Sequence, residues 1–216
     1  MNSHIGLFAL ATAGVFALSG CHSISGGPTT SKSFALAGFD RVSASAGVDV
    51  VLKQGPFNVS ASGPEKHFDT LRVEANGSTL EIGRHSHGWF NTSHDHFVVT
   101  VTAPTYTALD ASSGSDIKGE GLSLANLRAS VSSGADMSVS GSCKQLEVEA
   151  SSGADFKGDD LKCESVQANA SSGADATIFA SVSARGHASS GADIKVLGHP
   201  SAFDHEESSG GSVKAP

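Results

Sequence analysis

The feature that most limits how this chain can fold is a short phrase repeated five times. It reads Ser113-Gly114-Ser115-Asp116, Ser133-Gly134-Ala135-Asp136, Ser152-Gly153-Ala154-Asp155, Ser172-Gly173-Ala174-Asp175 and Ser190-Gly191-Ala192-Asp193, with a degraded sixth copy at Ser209-Gly210-Gly211-Ser212. The glycines at 114, 134, 153, 173, 191 and 210 are 20, 19, 20, 18 and 19 residues apart. A fixed period of this length marks a stacked repeat, in which each unit buries its apolar face only against its neighbours. Seven, five and three residues before the glycines stand sets such as Leu127/Ala129/Val131 and Leu146/Val148/Ala150. Three and five residues after them stand pairs such as Met137/Val139 and Ala176/Ile178. Both groups alternate with polar residues, so each repeat holds at least two short strands with one buried face. The Ser-Ser-Gly between them is a corner. Glycine supplies positive φ there, and serine hydroxyls can bond nearby backbone groups. A unit of about 19 residues is too short for a propeller blade and too strand-like for a helical repeat. It fits one coil of a parallel β-helix, like strand above like strand at a spacing of about 4.8 Å.

Outward columns follow from the same stacking. Six residues before the glycine, Arg128 falls over Glu147 and Arg185 over Asp204, so no like charges meet there. Two residues after it, Asp116, Asp136, Asp155, Asp175 and Asp193 form a column of like charge. Stacked carboxylates repel. Lysines two residues further on, such as Lys118, Lys157 and Lys195, offer relief.

Ahead of the repeats, residues 1–20 read as an export signal. Ile5–Leu18 is an apolar run too short to span a bilayer as a helix. It leads to Leu18-Ser19-Gly20-Cys21, which resembles a bacterial lipobox. That resemblance implies lipidation of Cys21 as the first residue of the mature chain, and His22 after it favours the outer membrane. The alternative is an ordinary secretory signal with Cys21 incidental, since Met1–His4 carries no Lys or Arg. Residues 21–33, rich in Ser, Gly, Pro and Thr, read as a flexible tether. Residues 34–106 hold strands without a clean period. Gly47-Val48-Asp49-Val50 repeats the corner order and is a candidate first coil. Leu71–Ala75, Asn76-Gly77 and Thr79–Ile82 read as a hairpin. Residues 107–214 are the repeat coils.

The order of these motifs resembles the putative auto-transporter adhesin, head GIN domain family. The lipobox precedes Phe39-Asp40-Arg41-Val42 and Gly47-Val48-Asp49-Val50-Val51-Leu52. A Leu-Glu-Ile strand and Val98–Pro104 follow, then the Ser-Gly-Ser-Asp and Ser-Gly-Ala-Asp repeats. The resemblance covers residues 38–214. It implies an all-β, right-handed parallel β-helix over 34–214 on an exported or lipid-anchored bacterial protein, and it brings no catalytic residues with it. The reading for the chain is a non-enzymatic envelope protein at the outer membrane or cell surface. Its partners would be the membrane, through the lipid, and an unidentified polymer or protein. The net charge of −8 disfavours nucleic acid, and no cofactor is expected.

Three groups of residues could carry chemistry. Cys143 and Cys163 lie one coil apart, close enough on stacked rungs for a disulfide; an unbonded pair is the alternative. His85, His87, His94 and His96 surround Gly88–Thr92. A hairpin there would gather four imidazoles suited to Zn²⁺, Cu²⁺ or Ni²⁺ in a periplasmic metal-binding protein, or the segment is a polar, pH-sensitive tip. The Asp column invites a calcium reading, but ion-binding turns need nine-residue Gly-Gly-x-Gly-x-Asp units. A carbohydrate-active enzyme, the remaining alternative, needs clustered acids and a basic residue in one groove, and fold alone does not supply them. Small residues at most outward sites give no reason to expect a deep pocket.

Overall fold

The computed structural model describes residues 29–85 and 96–216. It is a β-solenoid of about five turns. Its strands are β1 (Thr29–Phe34), β2 (Arg41–Ala44), β3 (Asp49–Gln54), β4 (Asn58–Pro64), β5 (Leu71–Asn76), β6 (Thr79–Arg84), β7 (Val98–Ala103) and β8 (Ala108–Ala111). They continue with β9 (Asp116–Val131), β10 (Asp136–Ala150), β11 (Asp155–Ala170), β12 (Asp175–Ser189), β13 (Asp193–Leu197), β14 (Ala202–Ser208) and β15 (Ser212–Lys214). β9 to β12 stack in parallel, with Asp116 beside Asp136, Asp136 beside Asp155 and Asp155 beside Asp175. Asp193 follows in β13.

Each long strand is a bent ribbon covering three faces. In β9 the buried residues are Ile117 and Gly119, then Leu122 and Leu124, then Leu127, Ala129 and Val131. Alternation slips twice, at Glu120-Gly121 and at Ala125-Asn126, where two outward residues follow one another. Each slip turns the ribbon, because side chains along a strand otherwise strictly alternate sides. The repeat pattern shows two of the faces; Leu122/Leu124 belong to a third.

All the variation in coil length is absorbed at these bends. Register shifts fall at 139–141, 158–162 and 163–165. The Ser-Gly corner stays in register. Ser113, Ser133, Ser152, Ser172 and Ser190 have φ between 53 and 58°, and the glycine after each has φ between 66 and 74°. Two consecutive positive φ values are what a type I′ turn requires. The turn closes with Ala135 N–H to the Ser132 carbonyl at 3.2 Å and its equivalents at Ser115, Ala174 and Ala192. The glycine N–H of the corners from Gly114 to Gly173 then donates to the next coil's corner serine, Gly134 to the Ser152 carbonyl at 3.2 Å and Gly153 to that of Ser172 at 3.1 Å. The corners therefore stack by hydrogen bonds as regularly as the strands do.

The first end is more regular than its sequence pattern suggests. Ala46 (φ 60°) and Gly47 (φ 68°) make the same corner between β2 and β3, and Gly47 N–H donates to the Ser113 carbonyl at 3.1 Å. β6 and β7 form a further rung outside this coil, β6 parallel to β2 and β7 parallel to β3. Space order thus departs from chain order. After Ala103 the chain steps across to β8 and β9, on the other side of β2 and β3. Tyr106 sits at that crossing, its ring buried and its hydroxyl 2.8 and 2.9 Å from the carbonyls of Lys53 and Val101. Burial pushes its phenol up to about 12.

Antiparallel strands close this end. β5 lies on β6 as the expected hairpin, β4 on β7, and β1 on β4. The tether expected over 21–33 is therefore shorter, since Thr29–Phe34 is a paired strand: six residues find free backbone partners along β4. Residues 1–28, including Cys21, and residues 86–95 lie outside the described residues.

Candidate functional site

Two outward surfaces follow from the stack. The first is the corner surface, where Asp49 extends the Asp column by one rung below Asp116. Burial, Asp49 and Asp136 together raise the Asp116 carboxyl above the usual range, with Lys118 opposing them. Lys157 sits between Asp136 and Asp155, its Nζ 3.8 and 3.7 Å from their carboxylates. At the end of the column His96 Nε2 lies 2.8 Å from Asp49 Oδ2. The column is thus partly neutralised by Lys157, which is interleaved with it.

The histidine cluster falls between β6 and β7, and two of its four members, His85 and His96, lie among the described residues. β6 and β7 flank it, but they do not pair with each other; they lie on successive faces of one rung and pair with β2, β5, β3 and β4. His96 contacts Asp49, and His85 N–H donates to the Thr70 carbonyl at 2.8 Å. His87 and His94 lie outside the described residues. Among the described residues no three His, Cys, Asp or Glu side chains converge as a metal site would need.

The second surface is an open groove of about 880 Å³ along the outer edge between two faces. It runs parallel to the solenoid axis over six successive rungs, from Thr107 to Asp204. It exists because each ribbon bends just before it, at Ala125-Asn126 and Lys144-Gln145, so that the outward residues on the two sides diverge. One rim carries Asn126, Gln145, Ser165 and Ser183, with Ser183 Oγ donating to Ser165 Oγ at 2.9 Å. The other carries charges already paired across rungs. Arg128 Nε and Nη2 donate to Glu147 Oε2 at 3.1 and 2.7 Å. Arg185 Nε and Nη2 donate to Asp204 Oδ2 at 3.0 and 2.6 Å. Both pairs were readable from the column order. The Arg185 hydrogen bonds hold the Asp204 carboxyl below its ordinary range.

Cys143 and Cys163 are directly opposite in register and joined by a disulfide, with Cα atoms 4.5 Å apart. They are two residues upstream of Gln145 and Ser165, so the bond ties together two rungs of the groove rim. Small outward residues gave no reason to expect a pocket, yet an open groove forms along the Asn126 column. The signal was available in the adjacent outward pairs that break the two-residue alternation.

Comparison with known proteins agrees with this architecture. The family described as "Putative auto-transporter adhesin, head GIN domain" matches residues 38–200. A crystal structure of a putative adhesin from Bacteroides fragilis superposes with a TM-score of 0.72 at 15% identity, covering 88% of this chain and 97% of that one. A putative adhesin from Parabacteroides merdae gives a TM-score of 0.51 at 12% identity, covering 88% of this chain and 97% of that one. At these identities the likeness is one of fold. No curated protein matches the sequence.

Proposed function

The chain belongs to the putative auto-transporter adhesin, head GIN domain family, and from that premise we propose that it is a non-enzymatic, lipid-anchored protein of the bacterial envelope that binds an extended partner at the cell surface. The observation that carries the reading is the parallel stacking of the corners, with Asp116, Asp136, Asp155, Asp175 and Asp193 in register from rung to rung. It makes a rigid rod whose outward side chains recur once per rung, a surface suited to a partner that is itself repetitive. Cys21 carries the lipid, and residues 22–28 link it to the first strand. The groove supports a binding role over a catalytic one, because its two acids, Glu147 and Asp204, are each held by an arginine.

Localisation tests it. The wild-type chain is expected in the outer-membrane fraction, labelled by antibody on intact cells, and Cys21→Ala is expected to release it into the soluble periplasm or medium. A chain that stays in the cytosol, or that fractionates identically with and without Cys21, overturns the reading.

A further inference from the structure

The groove between Thr107 and Asp204 points to a specific class of partner, and we propose that it binds an uncharged β-1,4-linked polysaccharide laid along the solenoid axis, one sugar unit per rung. The inference rests on the surface-binding reading above and narrows it.

Four observations carry it. First, spacing. Successive rungs present one rim group each, Asn126, Gln145, Ser165 and Ser183, at an interval of about 4.8 Å. That interval is close to the length of one unit in an extended β-1,4-linked glycan. An extended peptide advances only about 3.4 Å per residue and falls out of step with the rungs at once. Second, backbone. The strands under the groove, β9 to β12, are each paired on both sides. They leave no edge for a peptide to join as an added strand, the usual route for extended peptides. Third, charge. Arg128 is bound to Glu147 and Arg185 to Asp204, so the groove offers neither a charged polymer nor an ion a net attraction. Amides and hydroxyls remain, and these both donate and accept, as sugar hydroxyls do. Fourth, the far end. It is walled by the ring of Phe203, 37% exposed, while Leu127, Leu146 and Val166 between the rims turn their side chains into the core. An aromatic face suits the C–H face of a pyranose ring. The volume of about 880 Å³ lies within the range of ligand-binding clefts.

The test is calorimetric titration of the detergent-solubilised full chain with hexamers of β-1,4-linked glucose and of β-1,4-linked N-acetylglucosamine, beside the corresponding dimers. At least one hexamer is expected to bind at least about tenfold more tightly than its dimer, since each further rung adds contacts. Gln145→Ala and Phe203→Ala are expected to weaken it by about fivefold or more while keeping the wild-type melting temperature within a few degrees. Asp155→Asn, on the corner surface, is expected to bind as the wild type does. Raising salt is expected to change affinity by less than about twofold. No binding of either hexamer, hexamer affinity equal to dimer affinity, or indifference to both groove substitutions overturns the proposal. So does capture of extended peptides, but not glycans, through Gln145 and Phe203. Failure here with Cys21-dependent surface display intact removes the glycan assignment alone. Hexamer binding by a chain that never leaves the cytosol removes the envelope reading alone.

Discussion

At the scale of single residues, the corner glycines are selected by backbone angle and by nothing else. A Cβ on Gly114, Gly134, Gly153, Gly173 or Gly191 would meet no atom within 4 Å. Gly153→Ala is therefore expected to cost only the left-handed penalty of about 1–2 kcal/mol, read as a shift in urea midpoint. Gly141 is the contrast. At φ 128° its added Cβ would run into the backbone of Leu122, so Gly141→Ala is expected to lose more than about 4 kcal/mol or to leave the chain unfolded. The serine before each corner glycine already holds a positive φ with a side chain attached; sequence pattern placed glycine there and missed the serine, because its hydroxyl disguises the strain. Ser115 shows how local demand edits the repeat. It stands where later corners have alanine, fully buried, and its Oγ accepts the Val48 N–H at 3.3 Å. Asp116, next in sequence, titrates against its neighbours. Burial first, then Asp49 and Asp136, raise its folded pKa above the ordinary 3.8. Ionisation thus disfavours the folded state, and stability falls as pH rises from the ordinary value through the raised one. Asp116→Asn is expected to stabilise the protein at neutral pH by less than about 1 kcal/mol, with no gain below the ordinary carboxylate range.

At the scale of elements, the strand repeat and the corner were legible because both leave a mark every 19 or so residues. The first coil was legible at its Gly47-Val48-Asp49-Val50 corner, where Ala46 and Gly47 have φ 60° and 68°, but the rung of β6 and β7 was not. β6 and β7 stack outside β2 and β3 although they come later in the chain, and no linear period can encode that exchange of order. The hairpin of β5 and β6 was legible from Asn76-Gly77, where Gly77 has φ 59°. The groove was hidden for another reason: it depends on a bend, and a bend appears in sequence only as two polar residues where one was due. The disulfide links adjacent rungs across a loop of about 20 residues. Replacing Cys143 and Cys163 together with alanine is expected to lower stability by about 3 kcal/mol, measured by denaturant unfolding against the oxidised wild type. The last coil carries its own terminator. Glu207 occupies the inward position held by Ala150, Ala170 and Ala188 in earlier coils, and its Oε1 accepts the Val213 N–H at 2.6 Å. A charge turned inward at an open end blocks another sheet from adding there. Glu207→Val is expected to convert this end into an adhesive edge, visible as concentration-dependent association in sedimentation where the wild type shows none.

At the scale of the whole molecule, the two ends are closed by unlike means, and this sets where the solenoid opens. The first end is sealed by β1, β4 and β5 and filled by Phe39, Phe97 and Tyr106, all buried. The last is covered by β14, every residue of which is exposed, and by β15. In a stack where each coil touches only its neighbours, stability is close to a sum of coil and interface contributions, and damage stays near its origin. Opening from the last coil breaks one interface; opening from the first breaks antiparallel pairs and an aromatic core together. Amide exchange is therefore expected to be fastest in β14 and β15 and slowest in β9 to β11. Gly191→Val should sharpen the gradient, since its corner at φ 74° lies between the last two full rungs. Exchange measured by mass spectrometry is expected to rise in β12 to β15 and to stay unchanged in β1 to β9. A uniform rise along the chain would mean that the coils melt as one cooperative body, and a rod that unzips from its free end would be the wrong physical picture.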